Sequence, residues 1–279
     1  MLLIKTFEIS QRRACAVVGQ PRSTQRKGAP VPGDWEQHLR AQLRLLAGAN
    51  PRYGYRRLHA LLIRQGYQVN HKRVQRLCRD EGLRVRIQKR KRSRVGASTL
   101  PGDRQVAAFP NHVWALDFQF DQTRDARILK LLNITDEFTK RALAIEVERS
   151  ISSDDMVRVL ERLVSVHGMP AFIRMDNGTE MTANALRDWC RFTGIKTVFI
   201  EPGSPWQNAY VESFNGKIRD ELLAIEEFTT LLEAKIMAED FRQDYNSYRP
   251  HSSLKYQTPD EFTLEWHNNN PGLIKILAH

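Results

Sequence analysis

The order of secondary-structure signals from Asn111 onward leaves few folds open. HVWALDFQFD alternates apolar and polar residues and is rich in aromatics, and RILKLLNITD and RALAIEVE are two further β-prone runs, the last preceded by the turn-like DEFTKR. A period of two places one face of such a run in a core. SSDDMVRVLERLVSVHG then carries a helical period, with Ser152 or Ser153 as N-cap and Gly168 as stop. AFIRMD reads as a short strand, TANALRDWCRFTG as a helix ending at Gly194 and IKTVFI as a fifth strand. QNAYVESFNGKIRDELL is a helix, and another runs from about Thr229 to Tyr245. Three strands followed by helix, strand, helix, strand and helices predict a mixed five-stranded α/β sheet with helices on both faces.

The part before Asn111 differs in kind. Residues 1–33 include PRSTQRKGAPVPG and read as an irregular basic arm. From Asp34, a natural N-cap, an apolar period runs through Trp35, Leu39, Leu43 and Leu46 and stops before Asn50-Pro51. A second helix carries Leu58, Leu61 and Leu62 inward and ends at Gly66. A third, capped by Asn70 and ending at Gly82, turns Val74 and Leu77 inward and His71, Lys72, Arg73, Arg76 and Arg79 largely outward. Two short helices about a glycine-containing turn, the second one basic, match a helix-turn-helix; an ordinary helical hairpin with a charged face is the plainer alternative. QKRKRSR then supplies Lys89, Arg90, Lys91 and Arg92 in a basic linker fit to track phosphates.

Charge divides the chain at the same place. Residues 1–110 hold 24 Lys and Arg against 6 Asp and Glu, whereas the remainder holds 19 against 26. A basic front on a mildly acidic back indicates a nucleic-acid-binding region joined to a domain with another task. No run approaches the roughly 18 apolar residues of a membrane helix, and MLLIKTFEISQRR is too short in apolar residues for a secretory signal. Cys15, Cys78 and Cys190 are far apart, so neither a disulfide frame nor a structural zinc is indicated and the expected setting is the reducing cytoplasm.

Three acids fall at telling places. Asp117 lies mid-strand between Leu116 and Phe118, where a carboxylate is costly unless a cation joins it. Asp176 ends a short strand and opens an Asp-Asn-Gly turn, and Glu212 rides a helix that can lie across the strand ends. Singly, each has an ordinary explanation: a hydrogen-bonded buried aspartate, a turn-former and a helix-surface glutamate. Together they would repel one another unless a hard divalent cation, Mg²⁺ or Mn²⁺, lay between them. A pair of such ions about 3.5–4 Å apart suits phosphoryl transfer.

With WALDF (114–118), DNGTE (176–180), GSPWQNAYVESFNGKIRDEL (203–222) and YNSYRPHSSLKYQTPDEF (245–262), the chain resembles the OrfB transposases of the insertion-sequence-three family, in the DDE transposase and retroviral integrase superfamily. Thirty-five residues separate Asp176 from Glu212, and Arg219 follows the glutamate by seven. The resemblance spans about residues 50–265; the DNG motif alone is weak, while the 203–222 block with the tail block is specific. It implies an RNase H-like core in which Asp117, Asp176 and Glu212 hold two Mg²⁺ ions, replaceable by Mn²⁺, with Asp117 bridging both. It further implies end cleavage and strand transfer without a covalent enzyme–DNA intermediate. Asn208, Asn215, Lys217 and Arg219 are then expected near DNA, beside the basic residues of the helix-turn-helix and linker.

The expected domains are an irregular basic arm (1–33), a helix-turn-helix region (34–87), a basic linker (88–110), the catalytic core (111–265) and a C-terminal tail (266–279). Asp121, Asp125 and Asp136 read as surface or turn acids, Asp154 and Asp155 as helix-start acids, and His167 and His251 as structural. The resemblance implies double-stranded DNA as partner, a homo-oligomer on two DNA ends and fusion to the product of an upstream frame. Two other functions compete: a helix-turn-helix regulator with an inactive core, which the intact triad opposes, and an RNase H-type hydrolase, which the basic arm and the 203–222 block oppose.

Overall fold

Residues 2–23, 33–85, 106–176, 178, 184–199 and 208–271 are described by the computed structural model. The N-terminal segment is more regular than its composition suggests. Helices α1 (Leu2–Phe7) and α2 (Gln11–Val17) form there, with Ser10 accepting from Arg13 N and Ala14 and Cys15 buried. The expectation of an irregular arm is therefore corrected for these residues: a short apolar run and an N-cap suffice for a turn or two of helix. Lys89, Arg90, Lys91 and Arg92 lie outside the described residues.

Helices α3 (Asp34–Ala49), α4 (Tyr55–Arg64) and α5 (His71–Asp80) share one core, built from Leu39, Leu43, Leu46, Leu58, Leu61, Leu62, Val74, Leu77 and Cys78. Two expectations shift here. Gly33, not Asp34, is the N-cap of α3, and Asp34 sits in the first turn, where its charge suits the helix dipole. Trp35 lies 47% exposed, with the Arg73 guanidinium 4.6 Å over its ring. Asn70 caps α5 as expected, accepting from Lys72 N at 2.8 Å. Gly66 and Gly82 take left-handed φ of 86° and 71° just past α4 and α5, as helix ends favour.

Strands β1 (Val113–Gln122), β2 (Ile128–Asp136), β3 (Ala142–Glu148), β4 (Phe172–Met175) and β5 (Lys196–Phe199) form one sheet in the order β3-β2-β1-β4-β5. β1 and β3 pair antiparallel with β2; β4 runs parallel to both β1 and β5. Helix α6 (Ser153–His167) opens with a Ser152–Asp155 capping box, and α7 (Asn184–Thr193) ends before Gly194. Both cover one face of the sheet, where Trp114, Leu116, Leu132, Ile134, Leu160, Leu186 and Cys190 are buried. On the other face Leu129, Leu131, Ile145 and Val147 meet α8 (Ala209–Ile218) and α9 (Leu231–Ser247) through Phe214, Ile218, Ala238 and Tyr245. With both faces covered, β2 is buried along almost its whole length.

Helix α8 continues through a π-helical turn, Arg219–Leu223. That turn presents Glu221 to Arg249 and to Arg57 of α4, at 2.6 and 2.9 Å, and so joins the helical unit to the core. Arg64 adds bonds to the Tyr248 and Tyr256 carbonyls and to Glu261. Helix α10 (Pro259–Asn269), with a Thr258–Glu261 capping box, brings Phe262 and Trp266 against Phe138. It runs unbroken past residue 265, where the sequence suggested that a tail begins.

Candidate active site

Strand alternation decides which way each acid points. Trp114, Leu116 and Phe118 of β1 pack on the α6–α7 side, so Asp117 faces the α8 side. In β4, Ile173 and Met175 belong to the same α6–α7 core, so Asp176, one residue beyond Met175, also falls on the α8 side. The parallel register pairs Val113 with Phe172 and Ala115 with Arg174. Continued by two residues, it sets Asp117 level with Asp176. Glu212 is exposed in the first turn of α8, whose Val211, Phe214 and Ile218 grip the sheet.

The charges of the other two acids reach Asp117. Burial, reinforced by the charges of Asp176 and Glu212, raises the Asp117 carboxyl to about 6, although the Phe118 amide and the Asn215 side chain favour its ionised form. Phe118 N donates to Asp117 Oδ1 at 2.9 Å and Asn215 Nδ2 to Asp117 Oδ2 at 2.7 Å. Gly178 N donates to Asp176 Oδ1 at 3.0 Å, closing the DNG turn. Among the described residues none of the three carboxylates has an ion pair, and no three His, Cys, Asp or Glu side chains lie close enough together to hold a metal ion as they stand. By chemistry the donor set fits a hard divalent cation: all-oxygen, open to solvent at Asp176 and Glu212, and, among the described residues, without an ion-pairing Lys or Arg.

The supporting residues fall into two groups. Arg219 is exposed beyond the glutamate, and His71, Lys72, Arg76 and Arg79 are exposed on α5. Arg73 remains partly exposed but is engaged: Glu36 holds it at 2.7 Å, over the Trp35 ring. Arg76 lies 3.7 Å from the same Glu36. Lys217 turns inward to the Tyr245 hydroxyl at 3.3 Å, and burial, with Arg249 nearby, lowers its pKa to about 8. Asn208 is buried, and Asn215 is committed to Asp117 and Asn133. The structure thus turns Lys217 toward Tyr245 of α9, buries Asn208 and engages Asn215 with the β1 and β2 side chains, rather than leaving these three side chains free on an exposed face.

Asp136, read from sequence as a surface or turn acid, is a buried turn acid that accepts from Phe138 N, Thr139 N and Oγ1, and Asn111 N. Sequence reading missed Gln119 and Asn133, buried amides beside Asp117, and the Arg249–Glu221–Arg57 cluster behind α8. An amide inside the apolar run LLNITD was the available signal for Asn133.

Fold and site together define an RNase H-like integrase core preceded by a helix-turn-helix-like unit. The family description "Integrase core domain" matches residues 107–205 and again 193–259, and "HTH-like domain" matches residues 34–92. The uncharacterized 31.7 kDa protein of insertion element IS407 from Burkholderia multivorans is 44% identical over 257 residues, covering 92% of this chain and 91% of that one. The putative transposase InsK of insertion sequence element IS150 from Escherichia coli K12 is 31% identical, over 76% and 77% of the two chains. Among solved structures, the HTLV-2 integrase catalytic core domain in complex with magnesium aligns with a TM-score of 0.46 at 18% identity, over 56% of this chain and 97% of that one. The chain belongs to the insertion-sequence-three family of OrfB transposases, and its general task is DNA transposition and integration. Among the described residues no helix is long and apolar enough to cross a membrane.

Proposed function

We propose that this chain cuts double-stranded DNA at the ends of its insertion element and joins the freed 3′-hydroxyls to other phosphodiesters, with Asp117, Asp176 and Glu212 as metal-holding catalytic residues. The observation that supports this reading is that Asp117 lies level with Asp176, one residue beyond β4, on the α8 side of the sheet, and that the charges of Asp176 and Glu212 both bear on the Asp117 carboxyl. In cleavage, water attacks phosphorus and the 3′-oxygen departs. In joining, the terminal 3′-hydroxyl attacks a target phosphodiester, loses its proton and displaces the target's own 3′-oxygen. Two bound Mg²⁺ ions, or Mn²⁺ in their place, supply activation of the attacking oxygen and charge stabilisation of the leaving one.

The chain's own residues prepare this site. Asn215 and the Phe118 amide hold both Asp117 oxygens in fixed directions, which leaves the outward lone pairs for ligation. The Gly178 amide does the same for Asp176. Arg219 engages a DNA phosphate or terminal base next to α8, and the exposed His71, Lys72, Arg76 and Arg79 bind DNA from α5. Lys89, Arg90, Lys91 and Arg92 extend that track. Two element ends must meet, so the working form is a homo-oligomer on DNA.

The test is cleavage and transfer of an end-labelled oligonucleotide bearing the element's terminal repeat. Asp117→Asn, Asp176→Asn and Glu212→Gln are each expected to lose both steps by about a hundredfold or more while still binding DNA. Retained joining in any of them refutes the site, and preferential hydrolysis of RNA–DNA hybrids by the natural chain would establish an RNase H-type enzyme instead.

A further inference from the structure

Three amides stand behind Asp117, on the α8 side of the sheet. Asn133 of β2 is the direct cross-strand neighbour of Asp117, and Gln119 lies two residues further along β1 on the same face. Asn133 is fully buried and Gln119 is 2% exposed. Their bonds form a directed chain. Asn133 Nδ2 donates to Gln119 Oε1 at 3.2 Å and to Asn215 Oδ1 at 2.7 Å. Gln119 Nε2 donates to the Asn215 carbonyl at 3.4 Å, and Asn215 Nδ2 donates to Asp117 Oδ2 at 2.7 Å.

The directions are forced by chemistry. An ionised carboxylate only accepts, so Asn215 must turn its N–H to Asp117 and its oxygen inward. That oxygen needs a donor, and Asn133 supplies it. Both N–H groups of Asn133 are thereby used, while its Oδ1 is left buried without a hydrogen-bond partner among the described residues. Orphaning a buried acceptor is costly, and the neighbouring positions of β2 are apolar. Stability alone gives no reason to place an amide there; a required orientation of Asn215 does.

We infer that Asn133 and Gln119 are positioning residues, which lock Asn215 in the one amide orientation that fixes the Asp117 carboxylate for divalent-metal binding. The inference rests on the reading of Asp117 as a metal ligand. Asn133→Leu removes the donor with an apolar side chain of similar size. Asn133→Asp keeps the shape but offers only acceptors when ionised, so Asn215 is pushed to flip its oxygen toward Asp117. Gln119→Leu removes the outer member of the chain and gives a milder perturbation should either change at 133 impair folding.

The experiment measures Mn²⁺ binding to the full chain by isothermal titration, together with melting in EDTA, for these variants, the natural chain and Asp117→Asn. The expected result is Mn²⁺ affinity weakened about tenfold to a hundredfold by Asn133→Leu and more by Asn133→Asp, as loss of outer-shell partners does elsewhere. Melting of the metal-free Asn133→Leu protein is expected to stay near that of the natural chain. Unchanged affinity in all folded relay variants, or lowered melting with affinity intact, overturns the inference and leaves the amides a packing feature. Absence of Mn²⁺ binding sensitive to Asp117→Asn in the natural chain overturns the underlying site, and the inference with it.

Discussion

Asp117 of β1 stands level with Asp176, one residue past the end of the parallel β4, and the charge of Asp176 resists the ionisation of Asp117. The arrangement works against stability. The Asp117 carboxyl, raised from 3.8 to about 6, binds protons more readily folded than unfolded, so its cost is fully present above about pH 6 and fades as pH falls toward 4. Asp117→Asn is therefore expected to raise stability in EDTA at pH 7 by about 1–2 kcal/mol, or about 2–6 °C in Tm. The same variant should show no added stabilisation by Mn²⁺. Scanning calorimetry with and without Mn²⁺ checks both; a lowered metal-free Tm contradicts the electrostatic account.

Glu221 ties the helical unit to the catalytic helix. Burial opposes its charge, but hydrogen bonds and attraction from Arg249 and Arg57 outweigh that and hold its pKa below the usual carboxylate range. Glu221→Gln leaves Arg249 buried without its anion, at an expected cost of about 3–5 kcal/mol. Arg57→Ala, from the more exposed side of the cluster, should cost far less. Denaturant titration of both variants ranks them.

His251 is buried against the Tyr245 ring, with Nε2 at 3.2 Å from the Tyr245 carbonyl, and burial followed by the Arg249 and Lys217 charges lowers its pKa from 6.5 to about 2. Folded, it stays neutral where the unfolded chain takes up a proton. Its contribution is complete above about pH 6.5 and is lost as pH falls toward 2. Between pH 7 and pH 5 this residue alone accounts for about 2 kcal/mol of lost stability. His251→Gln keeps a donor for the carbonyl and cannot titrate, so its stability should change less over that interval. An equally steep fall in the variant would assign acid sensitivity elsewhere.

Placement on α5 separates DNA contacts from packing. Lys72 and Arg79 are exposed, whereas Arg73 is held between Glu36 and Trp35. Lys72→Ala or Arg79→Ala should weaken DNA binding at all sequences and reduce the salt slope of log K by about 1 each. Arg73→Ala should lower Tm and leave that slope nearly unchanged. Binding isotherms at several salt concentrations give the answer.

Much of this was legible in the chain because the signals are local. The five strands, the Ser152 cap, the Asn70 cap and the glycine stops follow from residues within a turn of each element. The acids stood out because Asp117 interrupts an apolar strand and Asp176 opens a DNG turn. What could not be read depends on pairing. Asn133 looks like an isolated polar residue until the β1–β2 register sets it opposite Asp117. Lys217 resembles a surface cation until α9 brings Tyr245 to it, and Glu221 an ordinary helix acid until Arg57 and Arg249 arrive from 164 residues before and 28 after. The two N-terminal helices were obscured by a basic, proline-rich neighbourhood.

The central claim is that Asp117 binds a divalent metal during the DNA reaction, and a change of ligand softness tests it most directly. In Asp117→Cys, thiolate replaces carboxylate, which disfavours Mg²⁺ and suits a softer ion such as Mn²⁺. Joining of a pre-cut, 3′-labelled element end to target DNA is expected to be lost in Mg²⁺ and substantially restored in Mn²⁺, with the natural chain active in both. Equal activity of Asp117→Cys in the two ions, or no recovery in Mn²⁺ while Asp117→Ala remains as active as the natural chain, contradicts the claim.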